Sequence, residues 1–199
     1  MTEKRTYNLG RRAETAAETR QRLVEATFAL HRERGVTATS LRDIAERAGV
    51  SVGTAYHHFP TYLDAVRACG AHVAVTSPPP PESIFDGVEG LEQRVLVFVR
   101  ELCGWYGRHP WLERVRAERA EYPPVEEGMA AWERAIEHLA RLAAGCTADE
   151  ARTVAALADV AVYSRLIRAG VPAGRVPGRI AEAIVAWLRN RSSNRRSKP

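Results

Sequence analysis

Cysteine is scarce in this chain of 199 residues, and Cys69, Cys103 and Cys146 stand far apart. Three scattered thiols give no disulfide framework, so a reduced, cytoplasmic setting is expected. No apolar run approaches the roughly 18 residues of a membrane-spanning helix, and the chain opens polar and basic, unlike a secretory leader. No membrane partner is therefore expected. No segment alternates with the period of a strand, which removes the sheet-containing classes. Catalytic signatures are missing as well: no His-Glu-x-x-His, no glycine-rich phosphate loop, no serine in a nucleophile elbow. Glu126-Glu127 and Asp149-Glu150 read as helix-start charges rather than paired catalytic carboxylates. Cys69 and His72 share a helix face but lack a second close ligand pair, so no metal and no cofactor are expected. The chain does not read as an enzyme.

What is present is a folded, helical composition, with 45% hydrophobic residues and a net charge of +5. The charge is unevenly placed. Residues 1–76 carry 11 basic and 8 acidic side chains, residues 77–188 carry 13 and 16, and residues 189–199 carry 5 and 0. The basic character is thus largely a property of the tail, while the first part is mildly basic and the body mildly acidic.

The most informative stretch is residues 39–59, TSLRDIAERAGVSVGTAYHHF. Ser40 is placed to cap a helix with Asp43 as its capping-box partner. Leu41, Ile44, Ala45 and Ala48 fall on one apolar stripe. Gly49 stands where a helix end needs a left-handed residue. Ser51 then caps a second helix from Val52 to Phe59, and Pro60 forbids its continuation. This second helix is only about 10 Å long. Val52, Gly53, Thr54, Tyr56, His57 and His58 point outward on it, which is poor design for a packing element. The spacing is that of a helix-turn-helix whose second helix enters a DNA major groove.

These residues carry a resemblance. The runs Thr39-Ser40-Leu41-Arg42-Asp43-Ile44-Ala45, Ala48-Gly49-Val50-Ser51 and Gly53-Thr54-Ala55-Tyr56-His57-His58-Phe59-Pro60, with Leu23, Ala26, Phe28 and Leu30 upstream, resemble the DNA-binding domain of the TetR family of bacterial transcriptional regulators. The likeness covers about residues 15–75. It implies an all-α protein with an N-terminal three-helix helix-turn-helix domain and a C-terminal helical domain for ligand binding and dimerisation. It also implies double-stranded operator DNA, a small-molecule effector and a second copy of the chain as partners. Two departures stand out. His31 occupies a position that is often aromatic, and Thr61-Tyr62-Leu63-Asp64 lacks the lysine that usually opens the fourth helix.

Thr39, Ser40, Arg42, Ser51, Val52, Gly53, Thr54, Tyr56, His57, His58 and Tyr62 are the expected DNA-contacting residues. The second helix holds no Arg or Lys, so a bidentate contact to guanine has to come from elsewhere, and Arg42 is the candidate. Val52 and the Thr54 methyl suit thymine methyl groups.

Domain organisation follows from breaks in the sequence. Residues 1–14 are expected to form a disordered basic arm with Lys4, Arg5, Arg11 and Arg12, ahead of a helix capped by Thr15 and ended by Gly35. The DNA-binding domain spans 15–76 and ends in a connecting helix from Tyr62 to Val75. Ser77-Pro78-Pro79-Pro80-Pro81 reads as an extended spacer. Residues 77–190 form the regulatory domain, with helices expected over 90–108, 111–121, 126–144, 149–169 and 177–190. Residues 191–199 are a disordered basic tail. Trp105, Tyr106, Trp111, Tyr122, Trp132 and Tyr163 are candidates to line a pocket for an apolar or aromatic effector. The resemblance places a four-helix dimer interface on the last two helices, at Val154, Leu157, Ala158, Ala161, Ile180, Ile184, Trp187 and Leu188. The expected function is repression relieved by a ligand that shifts the connecting helix. Activation, metal sensing and nonspecific architectural DNA binding are the alternatives.

Overall fold

A computed structural model describes the backbone over residues 3–196 and the side chains over residues 14–191. The side chains of Lys4, Arg5, Arg11, Arg12 and the residues beyond Arg191 lie outside the described residues. Among the described residues the chain is all-helical. It forms α1 (Glu3–Arg34), α2 (Leu41–Ala48), α3 (Val52–His58), α4 (Tyr62–Thr76), α5 (Leu91–Arg108), α6 (Leu112–Ala117), α7 (Pro123–Ala144), α8 (Ala148–Leu157), α9 (Val160–Arg168) and α10 (Val176–Arg196). Short 3-10 turns occupy Glu82–Phe85, Arg119–Glu121 and Ala173–Arg175.

The helices divide into two compact units. The first takes the chain up to Pro78 and then Arg114–Gly128; the second takes Pro79–Glu113 and the chain from Met129 onward. The grouping of 114–128 with the first unit has no counterpart in the sequence reading.

In the first unit the apolar stripes of α1 and α2 meet the inner side of α3 and the start of α4. Leu23, Leu30, Leu41, Ile44, Ala45, Ala55, Phe59 and Ala65 form one core, and Leu23, Ile44, Ala45, Ala55 and Ala65 are fully buried. Burial of each large side chain contributes about 1.5–3 kcal/mol. The polar ends are locally satisfied. Ser40 accepts the Asp43 N–H while Asp43 accepts the Ser40 N–H at 2.8 Å. Gly49 closes α2 in the left-handed conformation, φ +67°. Thr61 and Asp64 form a second reciprocal box at the start of α4.

In the second unit α10 packs chiefly along α5. Val95, Phe98, Val99, Leu102, Val154, Ala158, Val176, Ile180 and Ile184 are at or near full burial. Arg94 donates to the carbonyls of Val88 and Leu142 and lies over the Phe85 ring, 4.7 Å from its centroid.

Several helix limits differ from the sequence reading. The first helix opens at Glu3, not Thr15, so the expected disordered arm is helical over the described backbone. Its Arg11–Glu18 stretch, RRAETAAE, consists mostly of strong helix formers. Thr15 lies inside the helix, where its carbonyl accepts the Thr19 hydroxyl at 2.8 Å. Likewise α10 continues to Arg196, past the Asn190 limit expected before a disordered tail. The single helix expected over 149–169 breaks at Asp159, whose extended backbone and carboxylate cap Ala161 N–H at 2.8 Å. The helix expected over 111–121 stops at Ala117 and resumes as a 3-10 turn. The next helix starts earlier than Glu126, on Pro123, where a missing N–H does no harm.

Candidate nucleic-acid interface and aromatic cluster

The second helix of the motif is short, firmly capped and open to solvent. Ser51 accepts Thr54 N–H at 3.0 Å and shares a hydrogen bond with the Thr54 hydroxyl at 2.8 Å. Ala55 and Phe59 hold the inner side, at 0% and 1% exposure. On the outer side Val52 is 37% exposed and Tyr56 53%. Gly53 and His57 are exposed, and Thr54 and His58 half-buried. A Cβ at Gly53 would meet only Ser51 Oγ, at 3.7 Å. Packing within the subunit therefore does not require glycine here, and its bare backbone suits close approach by an outside surface.

The imidazoles of His57 and His58 stand edge to face, 5.4 Å between centroids. Partial burial, then the neighbouring His57 and Arg20, holds His58 below the usual histidine range. Arg20 itself lies over Phe59, 5.1 Å from the ring centroid. Arg42 is exposed and forms no ion pair among the described residues. Its neighbours are engaged: Arg34 with Asp43 at 2.9 Å, and Arg47 with Glu33 through two bonds of 2.8 Å. Arg42 is thus available where Arg34 and Arg47 are not.

Two expected DNA contacts are turned inward. Thr39 is 6% exposed and donates its hydroxyl to the Gly35 carbonyl at 2.8 Å. Tyr62 donates to the Val36 carbonyl at 2.6 Å and meets His31 Nε2 at 2.9 Å. The Tyr62 proton goes to the carbonyl, so Nε2 of His31 carries the proton of that second bond. Burial pushes the His31 pKa down to about 4 and raises that of Tyr62. These two side chains organise the α1–α2 turn and are withdrawn from any phosphate. Ser40 remains exposed, but its hydroxyl serves the α2 cap. The Thr61–Asp64 box repeats the Ser40–Asp43 spacing, which is the signal by which a sequence reading finds it, yet Thr61 is absent from the candidates.

In the second unit, five of the six expected aromatic residues come together. Ring centroids run Tyr163–Tyr106 6.0 Å, Tyr106–Trp105 5.5 Å, Trp105–Trp132 5.2 Å and Trp132–Trp111 6.4 Å. His109, not among those candidates, joins the group between Trp105 and Trp111, at 5.3 and 5.8 Å. Its Nδ1 donates to the Trp105 carbonyl at 2.7 Å, which leaves Nε2 as the other polar handle. Tyr122 does not join. It belongs to the first unit and stands edge-on to Tyr62 at 6.2 Å.

The expected dimer residues divide. Val154, Ala158, Ile180, Ile184 and Leu188 are buried within the single subunit, so they form its own core and not a free face. Apolar periodicity marks a buried side without saying what buries it. Ala161 is exposed, and Leu157 and Trp187 are half-buried. Among the described residues no helix is long and apolar enough to cross a membrane.

Comparison with known proteins bears on the first unit most strongly. Residues 23–61 match the family described as bacterial regulatory proteins, tetR family. Over 58 residues the chain is 45% identical to the HTH-type transcriptional regulator TtgR of Pseudomonas putida, covering 29% of this chain and 28% of that regulator. Over 49 residues it is 43% identical to the HTH-type transcriptional repressor KstR of Mycolicibacterium smegmatis, covering 25% of this chain and 24% of the repressor. The matched stretch thus spans under a third of these relatives. Among solved structures, the multidrug binding protein EbrR complexed with imidazole aligns with a TM-score of 0.61 at 20% identity, over 84% of this chain and 93% of that one. The hemolysin II transcriptional regulator HlyIIR aligns with a TM-score of 0.59 at 13% identity, over 84% and 97%. At these identities the structural likeness concerns the fold. Residues 23–61 are thus similar to the DNA-binding segment of the tetR family of bacterial regulatory proteins, and the helical fold as a whole is similar to that of EbrR and HlyIIR.

Proposed function

We propose that this chain is a ligand-responsive transcriptional regulator, a repressor that leaves its operator when a small molecule binds. The observation that carries the reading is the outer side of α3. Val52, Gly53, Tyr56 and His57 are exposed there, on a helix whose inner side is locked by Ala55 and Phe59. Such a face fits the major groove, with Arg42 at the start of α2 reaching a guanine or a phosphate and Val52 and Thr54 against thymine methyls. Ser51 and Tyr56 complete the proposed contacts. With no Arg or Lys on α3, each half-site has at most one arginine–guanine contact.

The chain acts as a homodimer in the cytoplasm, its two α3 helices about 34 Å apart on a two-fold operator. Leu157, Ala161 and Trp187 are the expected interface residues still accessible for that contact. The effector is an apolar or aromatic molecule received by Trp105, Tyr106, Trp111, Trp132 and Tyr163, with His109 supplying a polar contact. EbrR, complexed with imidazole and with proflavin, supports this effector class by analogy.

The test is selection of duplexes from a random DNA pool, followed by mobility-shift titration of the winner. A symmetric pair of half-sites bound by a dimer supports the proposal. Binding without any sequence enrichment favours the architectural reading instead.

A further inference from the structure

The turn between α1 and α2 is held by a piece of chain from far along the sequence. Val36 N–H donates to Glu118 Oε2 at 2.6 Å. Arg114 donates to the Glu33 carbonyl, in the last turn of α1, also at 2.6 Å. Gly35 lies between them at φ +92°, and a Cβ there would stand 2.5 Å from Glu118 Oε1. Glycine at this position therefore serves both the left-handed backbone and the close approach of the carboxylate. Tyr62 takes the Val36 carbonyl from the other side, and Tyr122 covers Tyr62. Both polar groups of Val36, a residue with 0% exposure, are thus bound by side chains remote in sequence.

The segment that supplies Arg114, Glu118 and Tyr122 is an excursion of the second unit's chain. It leaves just after Trp111 and returns just before Trp132. Those two tryptophans are neighbours in the aromatic cluster, tilted by 52° with 6.4 Å between centroids. The ends of the excursion are thus clasped where the effector is proposed to enter, and its middle grips the turn that sets α2 and α3 on α1.

We propose that Glu118 is a positioning residue that couples the aromatic cluster to the DNA-binding helices through the α1–α2 turn. This rests on the ligand-responsive reading given above. A molecule that parts Trp111 from Trp132 moves both ends of the excursion and loosens the carboxylate from Val36. By linkage, binding of DNA must disturb the tryptophan cluster in return.

The reciprocal effect is measurable without knowing the effector. Emission is read in the wild-type chain, where three of the four tryptophans, Trp105, Trp111 and Trp132, stand in the cluster. The probe is a duplex selected by the wild-type chain from random DNA. Three results are expected: tryptophan emission changes when the duplex binds, Glu118→Ala binds that duplex roughly tenfold more weakly, and it shows no emission change at saturation. Glu118→Gln, whose amide oxygen still accepts from Val36, retains both responses in weakened form. Amide exchange over residues 36–39 is faster in Glu118→Ala than in wild type. Wild-type affinity and emission change in Glu118→Ala would overturn the coupling, as would wild-type emission that ignores the duplex. Should the alanine variant not fold, exchange at the Val36 amide decides: slowing by the duplex supports the proposal and no change refutes it. Failure of the wild-type chain to select any duplex would strike the DNA-binding reading itself.

Discussion

The two units put their aromatic residues to opposite uses. In the first, Tyr56 and His57 stand on the outer side of a capped helix, with Tyr56 53% exposed. In the second, Trp105, Tyr106 and Trp111 are 3%, 4% and 7% exposed, with Trp105 packed on Tyr106 and Trp111 on His109 and Trp132. Among the described residues Tyr56 has no ring or hydrogen-bond partner, and His57 meets its helix neighbour His58. The inward set already has partners, which the proposed ligand would have to part. On the proposed function, recognition by α3 is a rigid-surface matter, whereas recognition by the cluster requires movement, as a regulatory site must.

The contrast breaks most severely if the inner side of α3 is removed. Phe59→Ala should destabilise the chain by about 3–5 kcal/mol, since Phe59 is 1% exposed and shares the core of α1, α2 and α4. Chemical denaturation followed by circular dichroism measures this; a loss below roughly 1 kcal/mol would mean that α3 is not anchored as described.

A second effect concerns the buried side of the same unit. His31 is neutral in the folded chain, with its pKa depressed from 6.5 to about 4. The unfolded chain takes up that proton first as pH falls. Its contribution is therefore fully present above pH 6.5, is lost on descending toward pH 4 and levels off below. The loss is roughly 3 kcal/mol. Denaturation midpoints across this range should slope in wild type and flatten in His31→Phe. Equal slopes in the two proteins would show that His31 is not held neutral.

Smaller effects separate the contacts of the outer face. Arg42→Ala should weaken binding of the selected duplex by about 1–3 kcal/mol and relax preference at one base pair, if the side chain reads a base. Unchanged affinity in titrations would remove Arg42 from the interface. Tyr56→Phe, which loses one hydroxyl bond to phosphate, should cost about 0.5–1.5 kcal/mol on every duplex alike. A sequence-selective loss would place Tyr56 against a base instead.

The sequence is readable where its signals act over a few residues. Ser40 with Asp43, Gly49 and Ser51 each declare a helix end to partners within four positions, and each end stands where those residues put it. The aromatic group is partly legible, because Trp105, Tyr106 and Trp111 share one local stretch. Tyr62 misleads for the opposite reason. Its partner, the Val36 carbonyl, lies 26 residues away, and no local pattern distinguishes an inward from an outward hydroxyl. Ile180, Ile184 and Leu188 read as an interface because an apolar stripe looks the same against α5 as against another subunit. Asp159 is hidden by its alanine-rich flanks, where helix propensity is high and one capping residue decides the break. Glu118 leaves no trace in any motif, since its role depends on the close approach that Gly35 permits.

Everything proposed for this chain depends on the outer face of α3 reading a particular DNA sequence. The most direct test is competition of the selected duplex against bulk genomic DNA at physiological salt. Specific binding should exceed nonspecific binding by about 10³ or more. Equal competition by bulk DNA would contradict it.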